Sequence, residues 1–116
     1  MVVKIGGEIR IKVLIIEDKK EPVIGVVWND LDTMRNIIGN SNLEVAEYND
    51  ILVIYDRTSL AKSLPINRHL DDFAIRGTFI LAGNDKKELD FKSLTKEQIS
   101  EYIEKMTLNR EEELEL

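Results

Sequence analysis

The chain contains no cysteine. That absence excludes disulfides, thiolate zinc sites and a cysteine nucleophile, and it fits a reducing compartment. Histidine is nearly as scarce, with His69 alone. Any Ser-His-Asp relay would have to run through it, and no serine stands in a G-x-S-x-G elbow. The six glycines build neither G-x-G-x-x-G nor a phosphate-cradling Walker loop, and Gly6-Gly7 reads as a flexible lead-in. Long apolar runs are missing too. The longest, Val13–Ile16 and Ile51–Tyr55, fall far short of the ~18 residues that span a bilayer. The first residues lack the basic and apolar regions of a signal peptide, so the expected setting is cytoplasmic, with no membrane partner. Positive charge is also short. A net charge of −6 argues against duplex nucleic acid, which is gripped by a basic face that releases counterions.

What is present describes one soluble domain over residues 1–116. Its length is 116 residues, with 43% hydrophobic and 33% charged side chains. Ile9–Glu17 reads as a strand whose second half is apolar on both faces. The polar turn Asp18–Pro22 separates it from a second β-rich run, Val23–Trp28, and the two are expected to form a hairpin. Asn29 or Asp30 can cap a helix over about 30–39, with Leu31, Met34, Ile37 and Ile38 at helical spacing and Gly39 as its stop. Leu43–Tyr48 and Ile51–Tyr55 flank the turn dipeptide Asn49-Asp50 and predict a central hairpin.

Asp56–Asp72 is the least regular stretch. Ile75–Gly83 reads as a further strand, and 89–94 as a short edge strand. Thr95-Lys-Glu-Gln98 is a capping box that opens a helix over about 95–106, with Ile99, Tyr102, Ile103 and Met106 on one stripe. The acidic tail 107–116 is expected to fray. This order predicts an α+β fold: a mostly antiparallel sheet of about five strands with both helices packed on one face. The uncovered face or an open edge would then call for a partner, and a homo-oligomer is the simplest one.

Nothing in the pattern calls for a catalytic residue, a cofactor or a metal. Asp30 and Asp32 are explained by the helix start, and no acidic run fits the twelve-residue calcium loop. An acid–base pair of His69 with Asp71 or Asp72 is the one catalytic alternative. The candidate residues are those of a binding site. Residues 57–77 set Arg57, Lys62, Arg68 and Arg76 against only Asp71 and Asp72, a basic window in an acidic chain. Within it, Pro65 stiffens a corner. Asn67 offers a donor and an acceptor, Arg68 a fork of donors suited to phosphate or carboxylate, and His69 a switchable ring. Trp28 and Tyr55 each end an apolar run and could stack a base, although strand-end aromatics also serve as core or rim. The plain reading of the corner is structural, with Asn67 tying the loop backbone and Arg68 pairing with Asp71 or Asp72.

Several segments together resemble a known family. They are Met34–Gly39, Leu43-Glu-Val45, Ile51–Tyr55, Leu64-Pro-Ile-Asn-Arg68, Ile75–Gly83 and Leu94-Thr95 with Gln98-Ile99. The chain is similar over roughly 23–106 to an uncharacterised domain family of phages and mobile elements of Gram-positive bacteria, marked by an L-P-x-N-R loop. Gly39-Asn-Ser-Asn42 departs from the family's helix-end pattern. The resemblance implies no activity, only a setting in which small acidic proteins act against host defence. The leading expectation is therefore a non-catalytic protein that sequesters a small anionic, nucleotide-like signal. Arg57, Arg68 and Arg76 would clamp phosphates, and Trp28 or Tyr55 would stack. The alternative is an acidic inhibitor that covers a host nuclease or defence protein with Glu44, Glu47, Asp50, Asp56 and the glutamate tail.

Overall fold

A computed structural model describes residues 9–40 and 42–108. Along the chain it runs β1 (Arg10–Ile16), β2 (Val23–Trp28), α1 (Leu31–Ile38), β3 (Leu43–Tyr48), β4 (Ile51–Asp56), β5 (Ile66–Leu70), β6 (Phe73–Arg76), β7 (Phe79–Asp85), β8 (Asp90–Lys92) and α2 (Lys96–Met106). Six strands form one antiparallel sheet in the order β2-β1-β7-β4-β3, with β8 paired to β7. The fold is α+β. The Gly6-Gly7 lead-in and tail residues 109–116 lie outside the described residues.

Strand period 2 sorts the core into two layers. Leu14 and Ile16 share a face with Ile51, Val53, Phe79 and Leu81, and that face carries Tyr102 and Met106 of α2. Ile11 and Val13 share the opposite face with Ile54, Ile80 and Ala82, where Met34 of α1 packs. The expectation of both helices on one face is thereby corrected. Each helix covers part of its own face, because β1, β4 and β7 are apolar on both sides. Burial of a large apolar side chain contributes about 1.5–3 kcal/mol, so neither face is a minor contributor. The hairpin β5–β6 completes the α2 face with Leu70 and Ile75. On the other face α1 spans only eight residues. The uncovered end is a groove of about 310 Å³ lined by Val45, Leu52, Leu89 and Phe91.

Local chemistry sets the element ends. The Asp30 carboxylate accepts the Thr33 amide at 2.7 Å, and Gly39 closes α1 at φ 83°. Both capping-box bonds of α2 form: the Gln98 amide donates to Thr95 Oγ1 at 3.1 Å, and the Thr95 amide donates to Gln98 Oε1 at 2.9 Å. Two sequence expectations change. The stretch 56–72 contains a strand, β5, hidden because its apolar Ile66 is exposed and its charged Arg68 is buried. The single strand expected over 75–83 is broken by Gly77 at φ 73°, which separates β6 from β7. A Cβ there would also stand 2.9 Å from Leu64 Cδ1.

Candidate binding surface

The corner 64–68 is built by backbone bonds. The Leu64 amide donates to Ser59 O at 3.0 Å, and the Gly77 amide donates to Pro65 O at 3.1 Å. Arg76 Nη1 donates to Leu64 O at 2.8 Å. Asn67 Nδ2 then donates to Ile16 O at 2.9 Å and to Gly77 O at 2.8 Å. Arg68 is buried. Its Nε donates to Met106 O at 2.8 Å, Nη2 to Lys20 O, and Nη1 to both Asn67 oxygens. Burial pulls the Arg68 guanidinium below its ordinary range, against the opposing charges of Glu21 and Asp18, and an arginine stays charged throughout.

One guanidinium thus ties the turn after β1, strand β5 and the C-terminal end of α2 together. The Met106 carbonyl is one of the helix-end acceptors that α2 itself leaves open. The picture of Asn67 and Arg68 reaching out to a guest finds no support in this geometry, because the bonds named above end within the chain. Nor does Arg68 take Asp71 or Asp72: in the described bonds it takes chain carbonyls and the Asn67 amide oxygen.

The other candidates are dispersed. Arg57 is exposed and pairs through Nε with Glu44 at 2.7 Å. Tyr55 is half-buried, edge-to-face with Phe73 at 5.5 Å. Burial, then the Glu44 carboxylate, push its phenol up, against the pull of Arg57. His69 is exposed on β5 opposite Ala74, and Pro65 is exposed at the corner. Trp28 sits on β2, with β1 and β7 between it and the β4 strand of Tyr55. The structure does not bring these two aromatics together. Among the described residues no group of three or more His, Asp or Glu is placed to hold a metal ion. No helix among them is long and apolar enough to cross a membrane.

The acidic residues are also largely engaged. Asp56 is buried and accepts from Asn40 Nδ2, the Thr58 amide and hydroxyl, and Lys62 Nζ. Burial pushes its carboxyl up, but the bonds from Thr58, Lys62 and Asn40 outweigh that and hold it below the usual range. Glu47 accepts from Asn84 at 3.0 Å, and Asp50 accepts from Gln98 at 2.7 Å.

What faces outward is β2. Its six residues, Val-Ile-Gly-Val-Val-Trp, carry no charge. Val23, Ile24, Val26 and Trp28 are 55, 51, 60 and 54% exposed. Arg10 lies over the Trp28 ring at 5.6 Å. The strand ends the sheet. The Asn29 amide donates to Ile9 O at 2.8 Å, so positions 29, 27, 25 and 23 bond to β1. Alternation turns the N–H and C=O of Ile24 and Val26 toward the open side. In the sequence only Trp28 stands out here, and the rest of β2 reads as an ordinary strand.

Fold and surface together define a small α+β domain whose sheet, among the described residues, stops at an apolar edge. The chain belongs to the family described as Domain of unknown function (DUF3846), which matches residues 11–107. Curated proteins and solved structures gave no match.

Proposed function

We propose that the protein is a non-catalytic binding module that recognises another polypeptide by adding its strand to the open β2 edge. One observation carries this reading. An uncharged strand with four large side chains more than half exposed lies at a sheet edge, where soluble proteins ordinarily place charge, proline or a cover. Main-chain groups of Ile24 and Val26 would supply affinity, and the Ile24, Val26 and Trp28 side chains would supply selectivity. Sequestration of a small anionic ligand has less to rest on, since Asn67 and Arg68 are engaged and Arg57 is paired. In the setting that the family resemblance implies, phages and mobile elements, the partner would be a protein of the host cell or of the element itself.

A photo-reactive amino acid placed at Val26 tests the reading, with Val45 on β3 as control. The expected result is discrete polypeptide adducts from position 26 that a Trp28→Asp change abolishes. Equal labelling from both positions, insensitive to Trp28→Asp, would count against the edge as recognition surface.

A further inference from the structure

We infer that the strand which occupies the β2 edge is the β2 of a second copy, paired antiparallel about a two-fold axis at Val26. This rests on the edge reading above and names its partner. The outward main-chain groups belong to the even positions, so two copies can exchange hydrogen bonds only where even residues face even residues. Centring the axis on Val26 satisfies that condition over the whole strand. Val26 meets Val26 of the second copy, and Trp28, whose carbonyl also accepts the Asp30 amide at 2.9 Å, meets Ile24 of the second copy, twice.

Side chains match under the same operation. Ile24, Val26 and Trp28 lie on one face of the sheet, level with Leu14, Lys12 and Arg10 of β1. Pairing therefore sets a large aromatic beside a smaller aliphatic at both ends and two valines in the middle, the kind of cross-strand pairs that stabilise sheets. Charge at the strip itself permits a like partner. Two chains of net charge −6 repel, and β2 offers them a strip with no charge on it. The flanking basic residue Lys12 sits one strand back in each copy. The two lysines are then about 14 Å apart, three strand spacings, beyond the screening length at physiological salt. The other edge offers no such match, because Glu44 and Glu47 lie on opposite faces of β3. A two-fold pair also closes on itself, so the β2 edge supports no further growth. The strip is short, so the dimer should be concentration-dependent, with a dissociation constant of roughly micromolar order.

The absence of cysteine makes a direct test available in the full chain. In a hydrogen-bonded antiparallel pair, facing Cα atoms stand about 5.5 Å apart, within disulfide range. Val26→Cys should therefore give a disulfide-linked dimer under mild oxidation, at least tenfold faster than Val45→Cys on β3. Sedimentation velocity should show wild type passing from monomer to dimer across the micromolar range. Val26→Lys, which sets two ammonium groups face to face, should remain monomeric while its far-ultraviolet dichroism, and its melting at concentrations where wild type is also monomeric, stay unchanged. Should that variant misfold, Ile24→Thr provides the same comparison with a milder change. A wild type that stays monomeric to several hundred micromolar, with equal oxidation rates at positions 26 and 45, overturns the inference. Species larger than dimers overturn the two-fold arrangement. If the chain is monomeric yet position 26 still crosslinks to a different polypeptide, self-pairing falls and the edge reading stands. If position 26 crosslinks to nothing, both fall.

Discussion

Residues 64–68 and residues 23–28 exchange the usual places of polar and apolar side chains. The first segment holds an asparagine and an arginine on a proline-stiffened corner, and both side chains are turned into the protein against main-chain carbonyls. The second is purely apolar, and four of its side chains are more than half exposed. A polar side chain with several matched acceptors inside the chain is an internal brace, however well its chemistry would suit a ligand. An apolar strand with unpaired main-chain groups is a recognition surface, however well it would suit a core. Functional weight therefore moves from the corner to the edge.

The comparison is broken most forcefully at the corner. Arg68→Met keeps the volume of the stem and removes the guanidinium, so the Met106 and Lys20 carbonyls lose their donor. Hydrogen bonds to a charged group contribute about 1.5–3 kcal/mol each, and the expected loss of unfolding free energy in urea is about 3 kcal/mol. Asn67→Ala removes two donor bonds and should cost about 2 kcal/mol in the same measurement. If either change left stability intact, the brace would be dispensable and the two side chains would be free for a ligand.

Asp56 sharpens the same contrast through pH. Its folded carboxyl titrates below the unfolded value, because bonds from Thr58, Lys62 and Asn40 outweigh its burial. The carboxylate then contributes stability that is fully present above the unfolded value near 4, and is lost as pH falls through the folded value. Denaturant midpoints measured from pH 6 down to pH 2.5 should decline for wild type. Asp56→Asn should start about 1–2 kcal/mol lower at pH 6 and show a flatter decline. The smallest effect on stability belongs to the edge. Measured where wild type is monomeric, Val26→Lys should change unfolding free energy by no more than about 0.5 kcal/mol, as for exposed positions generally, while it abolishes association at higher concentration.

The sequence announced those features whose signals are local. The capping box at Thr95, the Asp30 cap, the Gly39 stop and the Asn49-Asp50 turn all stand where their chemistry placed them. Features that depend on which way a strand faces were hidden. Ile66–Leu70 looked irregular because Asn67 and His69 interrupt its apolar residues, and nothing local says that Arg68 points inward. Gly77 looked like one more residue of a single strand until its left-handed conformation divided β6 from β7. The second core layer leaves little mark in the sequence, because β4 and β7 are apolar at odd and even positions alike, as the second half of β1 is. The exposure of β2 depends on strand order, which separates it from β4 by two strands and leaves it last in the sheet. No pattern within Val23–Trp28 carries that information.

Amide hydrogen exchange at Val26 against Val45 tests the central claim most directly. Each residue points its N–H away from its one sheet neighbour, Val45 because the Arg57 amide donates to Asn42 O and sets the β3–β4 alternation. With rising protein concentration the Val26 amide should become protected by at least tenfold, and the Val45 amide should not change. Equal exchange at both edges at every concentration would contradict the account, and so would a Val26 amide already protected in the dilute monomer.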